Sequence, residues 1–223
     1  MPVDLAEVRA ALNVILQGRH LALGTRRRVL TEVRDAMPAV IGRQHPLGFL
    51  VLDLSQLTGI VGARLHIWKH PFVERADPLG RLHDHSWTLH SNVLAGALVD
   101  EVLAVQESEH GEYVGHQVVY GEPVNKLRPL DQKQFSLDVV QRREVLAGST
   151  YTLAPQLVHR TNIRRLPTAT LVVAVPGAGP GPIVYSPSGS AVAPGGAASR
   201  REAAPGAAVI AAFDDVLSSL TAE

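Results

Sequence analysis

Residues 80–96 read "GRLHDHSWTLHSNVLAG" and place three histidines, His83, His85 and His90, close together in a chain of 223 residues that has ten in all. Histidine favours neither helix nor strand strongly, so local propensity gives no reason to gather it here. The flanking text decides how the stretch folds. "ARLHIWKH" (63–70) precedes it and "SNVLAGALVDEVLAV" (91–105) runs out of it, both β-like, with the turn signal "DPLG" (77–80) between. In a strand, residues two apart share a face. His83 and His85 then aim their imidazoles into one space, with Asp84 turned away.

The same texture extends outward. "GFLVLDLS" (48–55), "EYVGHQVVY" (112–120), "QFSLDVV" (134–140), "STYTLA" (149–154) and "ATLVVAV" (169–175) are short, β-branched or alternating, and a last strand is expected to end at Tyr185. Seven or eight such strands with no long helices between them predict an all-β fold, an antiparallel sandwich or barrel; a parallel βαβ sheet fails for lack of crossover helices. The N-terminal text is helical. Asp4 can cap a helix carrying Leu5, Val8, Leu12, Val14 and Ile15 on one face, and a second is expected from near Thr25 with Val29, Leu30, Val33 and Met37, until Pro38. Arg26, Arg27 and Arg28 read as a solvated face.

The domain plan that follows is a helical segment over 1–45, a β-barrel over 46–187, a flexible Gly/Pro/Ala linker over 188–206 and an amphipathic helix over 207–223. That last helix carries Val209, Ile210, Phe213, Val216, Leu217 and Leu220 at helical spacing.

Composition narrows the function classes. Lys+Arg and Asp+Glu balance at 21 each, and no basic recognition helix is visible, so nucleic acid is not an expected partner. The absence of cysteine excludes disulfides, thiolate metal sites and a cysteine nucleophile. No secretory pattern opens the chain and no apolar run is long enough for a membrane helix, so no membrane partner and a cytoplasmic location are expected. "AVPGAGPGPIVYSP" (174–187) lacks the lysine-serine pair and following helix of a phosphate loop.

Two imidazoles on one strand make half a site for a divalent transition metal. The best further ligand is His159 in "GSTYTLAPQLVHRTN" (148–162), directly after a strand and a proline turn. Arg64, His66 and Trp68 share one face of "ARLHIWK", and Leu65 and Ile67 the other. If the polar set faces inward, Arg64 can grip a carboxylate and His66 can act as acid or base; the favoured reading puts Leu65 and Ile67 inside. Trp87 shares parity with His83 and His85 and walls the pocket or packs the barrel. His20, His45, His70, His110 and His116 read as structural or solvent-facing.

These segments resemble the two motifs of the cupin superfamily. Gly80, His83, His85, then His90 in the place of a glutamate, and Gly96 follow the first; Gly148, Pro155, His159 and Asn162 follow the second. "LHIWKHPF", "LHDH" and "HRTN" resemble the cysteine dioxygenase-like branch, and "HDHSW" is a variant of the His-Asp-His-Pro-Trp motif of certain bacterial cupins. The resemblance implies a cupin-type antiparallel β-barrel, or jelly roll, with a metal on His83, His85 and His159. It further implies a mononuclear non-heme Fe(II) dioxygenase that takes a small polar or anionic substrate and O2, usually as a homodimer. Val172 and Ala174 stand where the thiol dioxygenases carry His and Tyr, so thiol oxidation itself does not follow.

His90 is left open: alternation from His85 turns it away, and only a bend would make it a fourth ligand rather than a supporting or surface group. Zn, Ni or Mn in place of Fe would suit the same imidazoles. A redox-inert isomerase or lyase, or a non-catalytic cupin binding a metal or ligand, stands as the alternative.

Overall fold

The computed structural model describes residues 5–37, 42–76, 81–120, 126–190 and 202–221. Asp4, Pro38, the "DPLG" turn with Gly80, and most of the 188–206 linker lie outside them. Two helices, α1 (Ala6–Leu16) and α2 (Leu23–Asp35), lead into a hairpin of β1 (Gly42–His45) and β2 (Phe49–Asp53). A single helical turn, α3 (Ser55–Thr58), precedes β3 (Ala63–Trp68). There follow β4 (Leu82–His83), β5 (Trp87–Glu107), β6 (Tyr113–Val119), β7 (Lys126–Leu146), β8 (Thr150–Leu153), β9 (His159–Pro176) and β10 (Ile183–Pro187), and α4 (Gly206–Ser219) ends the order.

Every strand pairing is antiparallel. The strands run β1-β2-β3-β9-β4-β10-β6-β7-β5-β8, and β5 also pairs with β9. Following the bonds from β9 through β4, β10, β6, β7 and β5 returns to β9, so the sheet closes on itself. The expected antiparallel barrel, with helices at its N-terminal end and a short one at its C-terminal end, is what the chain forms.

The long strands β5 and β9 make the closure. The first part of β5 pairs with β8 and the last part of β9; its second part pairs with β7 and the start of β9. The register shifts between Val93 and Leu98, where the strand bends. Gly96 sits in this bend at φ +77°, and a Cβ there would lie 2.2 Å from Thr168 Oγ1 and 2.6 Å from the Pro167 carbonyl oxygen.

Strands β2 and β3 are buried on both sides, which corrects the expected orientation. Leu50, Leu52, Leu65 and Ile67 are fully buried, together with Leu171 of β9, in a core shared with α1, α2 and α4. Phe49, Val51, Arg64, His66 and Trp68 line a cavity on the other side. The helical layer supplies the apolar cover that the barrel interior would otherwise have given Leu65 and Ile67, and this frees the polar set to face inward.

A second correction concerns Arg26. It is 6% exposed rather than solvated, and its Nη1 donates to the Leu94 carbonyl at 2.8 Å, beside the β5 bend. Arg34 and Asp214 pair at 2.8 Å, and Lys69, just after β3, pairs with Asp215, so charged contacts as well as apolar ones join α4 to α2 and to the segment that follows β3. Among the described residues no helix is long and apolar enough to cross a membrane.

Candidate metal centre

His83 and His159 are direct cross-strand partners, on β4 and β9. Directly opposed residues of an antiparallel pair project to one side with their Cβ atoms about 5 Å apart. His85 follows two residues after His83, just past the end of β4. The ring centroids form a near-equilateral triangle: 4.8 Å for His83–His85, 4.7 Å for His83–His159 and 5.1 Å for His85–His159. One nitrogen from each ring lies within 4.8 Å of the others.

The backbone beneath the triangle is tied down from two sides. Asp84 points away from the rings, and its carboxylate accepts the Ile183 N–H at 2.7 Å while its own N–H donates to the Ile183 carbonyl at 3.0 Å. Burial pushes the Asp84 carboxyl above its usual range. Gln156, in the turn before β9, holds the left-handed region at φ 60°, and its N–H donates to the His85 carbonyl at 2.7 Å. Past His159, Arg160 and Asn162 both donate to the Glu101 carboxylate.

Burial disfavours the charged forms of His85 and His159. His159 is 3% exposed and its basicity is lowered to about 4, chiefly because an imidazolium there would lose its hydration. For His85 the direction is the same and stronger, from burial first and then from the nearby His83, His159, His45 and Arg64. The Nδ1 of His159 lies 3.2 Å from the Leu157 carbonyl oxygen, which can only accept, so this nitrogen carries the proton and Nε2 keeps a bare lone pair. Three convergent imidazole nitrogens fit a divalent first-row ion.

The triangle opens on a cavity of about 550 Å³. Trp87 stacks on His85 at 4.9 Å, and the Arg64 guanidinium lies over the indole at 5.7 Å from its centroid. Arg64, His66 and Trp87 all line the cavity, so the structure brings the expected pocket residues to the same space as the three histidines. His90 is not gathered in. Its Nδ1 lies 3.2 Å from the Thr152 hydroxyl, across the β5–β8 pairing.

Among the lining groups that the sequence pattern did not reveal are His45 and Tyr151. His45, taken as structural or solvent-facing, stacks on Phe49 at 4.3 Å and lines the cavity. Tyr151 on β8 lines it too, with burial pushing its phenol up to about 12, so that it stays protonated. A signal existed for His45: "HPLG" (45–48) is a turn between two β-like runs, although nothing in the spacing ties it to residues 83–85. Of the other histidines set aside, His116 is 5% exposed in β6 and His20 Nδ1 accepts the Thr150 N–H.

Comparison with protein-family models and with curated proteins gives no match. Among solved structures, similarity is found to hydroquinone 1,2-dioxygenase from Sphingomonas sp. TTNP3 with 4-hydroxybenzoate bound, at 13% identity over 53% of this chain and 62% of that one, with a TM-score of 0.29. An oxalate decarboxylase is similar at 11% identity over 60% of this chain and 27% of that one (TM-score 0.32), and an oxalate oxidase in complex with glycolate at 19% over 62% and 56% (TM-score 0.32). The chain spans less than two thirds of the length of each. At these identities and scores neither activity nor ligand passes from them to this chain.

Proposed function

We propose that this chain is a mononuclear metal-dependent enzyme of cupin type, a non-heme Fe(II) dioxygenase acting on an anionic substrate. The observation that carries the proposal is the convergence of His83, His85 and His159 on a cavity that also holds the Arg64 guanidinium. When bound, Fe(II) supplies Lewis acidity toward the substrate and one-electron chemistry toward O2. His83, His85 and His159 would hold it, His159 through the Nε2 that its Leu157 bond leaves bare.

The protein's own part is binding, orientation and exclusion of water. Neutral imidazoles add no negative charge to a divalent ion, and Arg64 adds a positive one, so the field in the cavity favours an anion. Arg64 is held over Trp87 and can meet a carboxylate with two parallel hydrogen bonds. The indole stacked on His85 keeps water from one side of that ligand.

Elemental analysis of protein purified without added metal, followed by O2 uptake with a panel of organic acids, tests this reading. Bound iron with acid-dependent uptake is the expected result. Tightly bound zinc with no uptake under any acid would contradict the oxygenase assignment and leave a redox-inert metal enzyme.

A further inference from the structure

The cavity has two unlike ends, and strand register fixes their order. On β3 the cavity face takes every second residue: Arg64, His66 and Trp68. Their cross-strand partners share that face. Val51 of β2 stands opposite His66, and Val172 and Thr170 of β9 stand opposite Arg64 and His66, all three lining the cavity. Arg64 marks one end, over the Trp87 ring that stacks on His85. The carboxylate of Asp53, opposite Arg64 on β2, accepts the Ser55 N–H at 2.9 Å, and no Asp or Glu is among the described residues that line the cavity. Trp68 marks the other end, with its ring 4.6 Å from that of Phe49.

The wall formed by the start of β9 repeats the order. His159, Thr161 and Ile163 line the cavity at alternate positions. His159 belongs to the histidine triangle, whereas Ile163 packs with Leu166 against Phe49, Val51 and Trp68. Both walls therefore pass from a polar end at the histidines to an apolar end within four residues of strand. Four residues at about 3.3 Å each put roughly 13 Å of backbone between the ends. An extended eight-carbon acid, about 9 Å long from the length of its C–C bonds, spans most of that distance. The cavity of about 550 Å³ has room for it.

We propose that the cavity takes an elongated amphipathic organic acid, a carboxylate on a straight-chain or arylalkyl body, and that Phe49, Trp68 and Ile163 select for the length of that body. The carboxylate lies before Arg64 and the three histidines. The body runs along β3 onto the apolar end, where burial of its methylenes supplies affinity. A two- or three-carbon acid leaves that end unfilled. The assignment rests on the cavity being the substrate site, as proposed above, and is independent of which metal it holds.

Intrinsic fluorescence reads both ends, because the chain has two tryptophans and they are Trp68 and Trp87. The wild type is titrated with butyrate, hexanoate, octanoate and octanamide below micelle-forming concentrations, with metal content measured in parallel. Affinity is expected to rise by up to about fourfold for each methylene from butyrate to octanoate. Octanamide, which lacks the charge, should bind about tenfold more weakly than octanoate. In Trp87→Phe, where Trp68 alone reports, octanoate should change the emission and butyrate should not. Ile163→Asn puts a polar group at the apolar end and should weaken octanoate roughly tenfold while leaving butyrate unchanged.

Affinity that does not change with chain length would overturn the proposal, as would octanamide binding as tightly as octanoate or no binding of any acid. Equal weakening of butyrate and octanoate in Ile163→Asn would also overturn it. Length-dependent binding by protein that holds no metal would sink the metalloenzyme reading and support this one. Metal-loaded protein that consumes O2 with short acids and ignores chain length would do the reverse. Should Ile163→Asn fail to fold, Val51→Thr takes its place, with a severalfold loss expected for octanoate alone.

Discussion

For the single residue, burial disfavours the charged forms of His85 and His159, and this makes stability a function of pH. In the unfolded chain His159 titrates near 6.5; in the folded one near 4. Between these values the unfolded state holds the extra proton, so stability is fully present above about pH 6.5 and is lost as the pH falls toward 4. His85 acts in the same direction. Urea denaturation of metal-free protein should therefore show stability falling by about 1.4 kcal/mol per pH unit for each such histidine below pH 6. His159→Gln should flatten the slope. A wild-type slope no steeper than that of the variant would contradict the burial argument. Sequence reading reached His83 and His85 through parity, because strand alternation is a local property. It could not see that His159 faces His83 across a ladder, since register is set by distant strands and their bends. His45 escaped for the same reason, standing far from His85 in sequence.

At the scale of the element, β5 and β9 must bend to close the barrel, and two residues hold that bend. Gly96→Ala would place a Cβ against Thr168 and the Pro167 carbonyl at a backbone angle costly for any other residue. The expected loss is at least about 2 kcal/mol, read as a lowered urea midpoint. Arg26→Met keeps the buried stem and removes the bond to the Leu94 carbonyl, with an expected loss of about 2 kcal/mol. A midpoint unchanged by Arg26→Met would mean that water satisfies that carbonyl equally well. The run "RRR" gave no hint that Arg26 turns inward while Arg27 and Arg28 stay out, because helix phase relative to a sheet is a tertiary fact. The faces of β3 misled in a related way. Leu65 and Ile67 looked like barrel lining because a half-buried strand puts its apolar side inward. Here helices α1, α2 and α4 cover the outer side, so the apolar set packs under them and Arg64, His66 and Trp68 are left for the cavity.

At the scale of the whole molecule, the helical layer and the cavity share the same strands, so the site inherits its rigidity from packing on the opposite side. Phe213 of α4 is fully buried in that layer. Phe213→Ala should cost about 3–5 kcal/mol, seen as a lower thermal midpoint by circular dichroism. A loss under about 1 kcal/mol would mean that α4 is an appendage rather than part of the core. The all-β class and the terminal helices were legible because periodicity and turn residues are local; the closure through β5 and β9 was not. The folded barrel is expected to bind one metal ion on the three histidines it brings together. The measurement that decides this is the metal content of the wild type and of His83→Ala, His85→Ala and His159→Ala, each verified as folded. Close to one ion per chain is expected in the wild type, and a small fraction of that in each folded variant. Wild-type protein that takes up no divalent metal, or variants that retain it in full, would contradict it.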